Sequence, residues 1–150
     1  MKISTSNIDQ MKVLHPLLVR WEFPSSDWVK INTDGAARGY PGLATCGGIF
    51  RGSMKEFIGA FFVFLEVQSA MIAEFYGVIH AIKEAQKMGL TNVWLECDSA
   101  LVCATFTVRT NVLWMFRNRE ILILITVRKS GLGLLIFFMK GMCVLVSWLI

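Results

Sequence analysis

Nothing acidic follows Glu120 in this 150-residue chain, and Leu132 to Ile150 carries Lys140 as its one charge. Any chemistry built on carboxylates must therefore come from the part before that point. Histidine is scarce, with His15 and His80 far apart, and the four cysteines (Cys46, Cys97, Cys103 and Cys143) form no CxxC pair. That spacing argues against a zinc site of the Cys/His type. The N-terminus lacks the charged head and apolar run of a secretory signal, so the thiols are read as reduced and the chain as intracellular, with nucleus and cytoplasm not separated.

What is present is apolar and mildly basic. The chain is 55% hydrophobic with a net charge of +4, and its pI is near 9.0. One domain with a real core is expected at this length, and the positive balance favours an anionic partner. The apolar tail approaches the roughly 20 residues that cross a bilayer, so a C-terminal membrane anchor has to be weighed. Lys140 in mid-span, with Gly131, Gly133 and Gly141 as helix breakers, counts against it.

Residues 1–26 read as an N-terminal linker, with Pro24-Ser25-Ser26-Asp27 as the loop that delivers the chain to its first strand. Trp28 to Asp34 alternates, placing Trp28, Lys30 and Asn32 on one side and Val29, Ile31 and Thr33 on the other. Gly35 then permits a turn. Ala44 to Phe50 and Phe57 to Leu65 are two more strands separated by a short polar break, which implies a hairpin and an antiparallel meander of three. From Ser69, a candidate cap, the period becomes helical through Ile72, Phe75, Ile79, Ile82 and Ala85, with Gly89 as the stop. Val93 to Cys97 is a short buried strand, Asp98-Ser99 opens a second helix to about Phe106, and Trp114 to about Lys129 is a third carrying Arg117, Arg119 and Arg128. This order is that of an α/β fold with a mixed sheet.

Three acids are each tied to a regular element: Asp34 at the first strand, Glu74 in the first helix, Asp98 after the fourth strand. Taken singly, each has a plain structural role. Asp34-Gly35 forms turns, Glu74 near a helix start suits the dipole, and Asp98 beside Ser99 suits a helix N-terminus. Together they are different. A meander that sets the strand ending at Cys97 beside the first strand, with the Glu74 helix packed across both, brings all three carboxylates into one place. Hard divalent cations prefer such oxygen ligands, and paired ions about 3.5–4 Å apart support phosphodiester cleavage.

The strings Asn32-Thr33-Asp34-Gly35-Ala36, Gly47-Gly48-Ile49-Phe50-Arg51, Ala73-Glu74-Phe75-Tyr76-Gly77 and Trp94-Leu95-Glu96-Cys97-Asp98-Ser99 resemble the ribonuclease H superfamily. The likeness runs from about Trp21 to Ser130 and is closest to the plant reverse-transcriptase-like, retroelement-derived branch. It implies a ribonuclease H-like fold of about five strands, the first three antiparallel and the rest parallel, flanked by helices. It also implies that Asp34, Glu74 and Asp98 bind magnesium or manganese as catalytic acids, and that the RNA strand of an RNA/DNA hybrid is cut. Asn32, Gly35 and Ser99 are implied near the nucleic acid, while Arg117 and Arg119 are expected on a solvated helix face. Trp28, Phe75 and Trp94 are read as packing residues.

A fourth acid belongs to the family pattern and is absent here. If the codons for Leu134 to Ile150 are regrouped one nucleotide earlier, suitable synonymous codons allow SHIFHEGNVCAxKLAN, which resembles the family's closing motif. The position x takes two bases from the Val146 codon and cannot encode Asp. Residues 27–130 are accordingly expected to form the domain, and 131–150 to be an apolar tail, the remnant of the last strand and helix left by a reading-frame slip. Three functions follow: an impaired hybrid ribonuclease, a nucleic-acid-binding remnant that does not cut, and, third, a tail-anchored membrane protein. The oligomeric state is not indicated.

Overall fold

The computed structural model describes residues 23–107 and 131–138. Five strands and two helices follow in the order β1 (Val29–Gly39), β2 (Gly42–Arg51), β3 (Phe57–Gln68), α1 (Ala70–Lys87), β4 (Asn92–Cys97), α2 (Ala100–Thr107) and β5 (Gly133–Phe138). The sheet order is β3-β2-β1-β4-β5. β1 pairs antiparallel with β2, and β2 with β3, whereas β4 lies parallel to β1 and β5 parallel to β4. The expected mixed α/β architecture is therefore the one adopted. The third expected helix, Trp114 to Lys129, lies outside the described residues.

Strand alternation sorts the side chains. Ile31, Val93, Leu95, Leu134 and Ile136 point to the side covered by α1, where they meet Phe75, Val78, Ile79 and Ile82 in one dry cluster. Burying each such side chain contributes about 1.5–3 kcal/mol, which is what holds α1 to the sheet. The helix starts at Ser69, whose hydroxyl accepts the Ile72 N–H at 3.3 Å. It stops where Gly89 takes a φ of +68°, a backbone state that suits glycine.

Two boundaries differ from the sequence reading. β1 does not end at Asp34: Asp34 pairs with Gly47 and Gly35 with Cys46, and the strand runs on to Gly39. Gly35 is there for a different reason. A Cβ at that position would lie 2.2 Å from the Glu74 backbone nitrogen and 2.3 Å from the Ala73 carbonyl carbon, so a side chain would push α1 off the sheet. The turn comes later, at Gly39, whose φ is +119°. The sheet also continues past residue 130, because β5 pairs with β4 from Asn92↔Gly133 to Cys97↔Phe138. Apolar residues at alternate positions are all that a strand needs to lie over a buried helix. Among the described residues, no helix is long and apolar enough to cross a membrane, while residues 139–150 of the expected anchor lie outside them.

Candidate metal and nucleic-acid site

The C-terminal end of β4, the middle of β1 and the first turns of α1 meet at the same place. A cavity of about 520 Å³ opens there, lined by Asn32, Thr33, Asp34, Gly47, Gly48, Ile49, Ala60, Phe61 and Asp98. Asp34 and Asp98 are both exposed at it. Glu74, half-buried on α1, brings a carboxyl oxygen within 4.8 Å of one of Asp98, and the Gly35 backbone acts on it from β1. The glycine that lets the helix approach thus also holds the helix's acid.

The closest clustering is not the one expected. Glu74, Cys97 and Asp98 place one donor atom each within 4.8 Å of one another, whereas Asp34 stands outside that trio and joins it only across the cavity it shares with Asp98. Cys97 is fully buried. Its thiol donates to Glu74 Oε2 over 3.7 Å and accepts the Ser99 N–H at 3.4 Å. Sequence reading missed this residue because its role depends on three elements packing together. The available signal was parity: Cys97 falls on the helix-facing side of β4 with Val93 and Leu95, opposite to Glu96.

Crowding sets the electrostatics. Burial, followed by the hydrogen bond that protonated Glu74 donates to Asp98 and the charges of Cys97 and Asp98, raises the Glu74 carboxyl from its ordinary 4.5 to about 9. The helix-dipole role read from sequence does not apply, since Glu74 is the fifth residue of α1 and its first turn holds no acid. Cys46 is pushed up to about 11 by burial and by Glu74. The Cys103 thiol, then burial, drive Cys97 upward. A group of acceptors that must hold protons to coexist is a group suited to a cation, because a divalent ion replaces those protons.

The remaining expected residues have visible local partners. Asn32 donates its amide to Glu96 Oε2 at 2.7 Å and accepts Arg51 at 3.2 Å, so its carboxamide is held at the cavity edge by the protein. The Ser99 hydroxyl caps α2 by accepting the Val102 N–H at 3.4 Å. Phe75 is core as expected. Trp94 is not: it lies half-buried on the sheet face away from α1, its indole N–H donating to Glu96 and Lys30 Nζ lying 4.9 Å from its ring centre. Arg117 and Arg119 lie outside the described residues.

A family model described as reverse transcriptase-like matches residues 32–119, more than half of the chain. The chain belongs to the reverse transcriptase-like family. An Arabidopsis thaliana protein that carries a ribonuclease H name is 39% identical over 85 residues, spanning 57% of this chain and 14% of that protein. The chain is thus similar to a small part of a much longer relative. Among solved structures, RNase H1 of the archaeon Halobacterium salinarum aligns with a TM-score of 0.65 at 22% identity, covering 74% of this chain and 84% of that one. LC11-RNase H1, solved in complex with an RNA/DNA hybrid, aligns with a TM-score of 0.67 at 20% identity, covering 73% and 83%. These likenesses make the fold of this reverse transcriptase-like domain that of ribonuclease H.

Proposed function

We propose that this domain binds RNA/DNA hybrids and cuts the RNA strand weakly, with Asp34, Glu74 and Asp98 as the acids that hold magnesium or manganese. The observation that carries this reading is the meeting of Asp34 and Asp98 at one cavity with the Glu74 carboxyl within 4.8 Å of that of Asp98. The donor set fits a hard cation, being oxygen-rich, open on the cavity side and crowded enough to favour replacing protons with metal. When bound, such ions supply the positive charge that activates water and steadies the leaving oxygen of a phosphodiester. The chain's own part is positional. Gly35 admits the helix and fixes Glu74, Ser99 starts α2 immediately after Asp98, and Asn32 is clamped at the rim. Hybrid recognition rests on duplex shape and the 2′-hydroxyl more than on base edges, and the hybrid-bound LC11 relative supports that substrate class.

No acid follows Glu120, so the fourth family acid has no counterpart, and this favours a second reading in which the domain binds without cutting. A labelled hybrid incubated with the full chain and magnesium separates the two. Slow cleavage that falls on the order of tenfold in Asp34→Asn, with binding retained, supports the ribonuclease. Equal cleavage in both proteins leaves the binding function alone, and loss of binding overturns both. The reading-frame slip is tested separately by the nucleotide sequence across Arg128 to Ile150, where the closing motif is expected in the neighbouring frame.

A further inference from the structure

We propose that Glu74, Cys97 and Asp98 form a site for a thiophilic divalent cation of the zinc or cadmium kind, sharing two carboxylates with the magnesium site. The competition between the two kinds of ion rests on the metal-dependent reading above; the site itself does not. Cysteine and histidine spacing does not reveal such a site, because its donors come from α1, the last residue of β4 and the residue that follows it.

Three observations carry the inference. The donors are close and of mixed type, two carboxylates and one sulfur within 4.8 Å of one another. One pair is already at the spacing of ligands on one ion: zinc bonds of about 2.3 Å to sulfur and about 2.0–2.2 Å to oxygen, set tetrahedrally, hold sulfur and oxygen about 3.5 Å apart. The separation of Cys97 Sγ from Glu74 Oε2 is 3.7 Å. The surroundings are also arranged for a cation. Cys97 is fully buried with its sulfur turned to Glu74. The Ser99 N–H, at 3.4 Å from the sulfur, comes from outside the trio and supports negative charge on it, as an outer-shell donor does for a metal-bound thiolate.

The chemistry then discriminates between ions. Magnesium takes oxygen and leaves Cys97 as a thiol, so it uses Glu74 and Asp98 without the sulfur. A thiophilic ion adds a sulfur bond as the thiol releases its proton to solvent, with water from the cavity side completing four ligands. An ion held in this way takes Glu74 and Asp98 away from magnesium.

Cadmium is the probe, because a cadmium–thiolate bond gives a charge-transfer absorption in the ultraviolet that needs no enzymatic turnover. Titrating the reduced full chain is expected to give a saturable band at one cadmium per chain. The band should vanish in Cys97→Ser and persist in Cys46→Ser, Cys103→Ser and Cys143→Ser. Glu74→Gln, which keeps the thiol, is expected to weaken cadmium binding on the order of tenfold or more, and covers the case in which Cys97→Ser fails to fold by circular dichroism. Persistence of the band in folded Cys97→Ser, or unchanged affinity in Glu74→Gln, overturns the site. Excess magnesium should raise the cadmium needed for half-saturation, and no such shift overturns the sharing of carboxylates. A missing band with hybrid binding intact removes this site and leaves the proposed function standing. A band at Cys97 without hybrid binding does the reverse.

Discussion

Glu96 and Glu74 stand on opposite sides of one sheet, a few residues from the same cavity, in opposite surroundings. Glu96, on the face away from α1, is ringed by donors: Lys30 Nζ at 2.7 Å, the Asn32 amide at 2.7 Å and the Trp94 indole N–H at 3.2 Å. Glu74, on the helix that covers the other face, sits among acceptors and a thiol. A buried carboxylate surrounded by donors is complete within the protein, whereas one surrounded by acceptors is completed only by protons or by a cation. The comparison separates an acid satisfied by donors within the protein from one left among other acids and a thiol, although the two residues are the same type.

The largest expected effect comes from the backbone contact that delivers Glu74. Gly35→Ala places a methyl group 2.2 Å from the Glu74 nitrogen, and the obstacle is backbone that cannot rotate away. Loss of more than about 4 kcal/mol is expected, read as a lower denaturant midpoint or failure to fold. If Gly35→Ala unfolds at the wild-type midpoint, α1 does not need this close approach, and the position of Glu74 loses its structural explanation.

On the other face the test is to break the completed acid. The Lys30 and Glu96 side chains are 2% and 17% exposed, so Lys30→Met strips a buried carboxylate of its charged partner. Breaking a buried pair in this way costs roughly 3 kcal/mol. The double variant Lys30→Met/Glu96→Gln is expected to recover part of that loss, because the amide can still accept from Trp94 or Asn32 without an uncompensated charge. Chemical unfolding of the two single variants and the double one gives the coupling. Strictly additive losses would mean that Glu96 is not held by Lys30 and that the contrast with Glu74 is overstated.

How much of this was legible in the sequence depends on the range of the cause. The Ser69 cap, the helical stripe of α1 and the alternation of β1 are local, and each was readable from residues within one turn or one strand. Gly35 was readable as a special position but not for the right reason, because locally Asp-Gly means a turn and only the arrival of α1 explains the missing side chain. The acids Asp34 and Asp98 were found by motif and meet at one cavity, yet nothing in their spacing shows that the Cys97 thiol would join Glu74 and Asp98. β5 was hidden for a simpler cause. An apolar run shows no alternation to read, and only pairing with β4 selects which residues face the core.

The smallest effect is also the most specific, because it depends on Glu74 holding a proton. Burial among acceptors keeps its folded pKa near 9 against 4.5 in the open chain, so the folded state keeps a proton that the unfolded chain releases. Stability from this group is fully present below about pH 4.5 and drains away as pH rises toward about 9. Glu74→Gln imitates the protonated form at every pH. The variant and the wild type should therefore match below about pH 4.5 and part progressively above it, with the metal-free variant more stable by about 1–2 kcal/mol near pH 8 once solvent screening of a half-buried group is allowed for. Unfolding curves in chelator at about pH 5 and about pH 8 measure the gap. Added magnesium should narrow it, because metal stabilises the wild-type folded state in proportion to its binding and Gln at position 74 offers a poorer ligand. A variant that is less stable than wild type at both pH values would place Glu74 with Glu96, as an acid the fold itself requires.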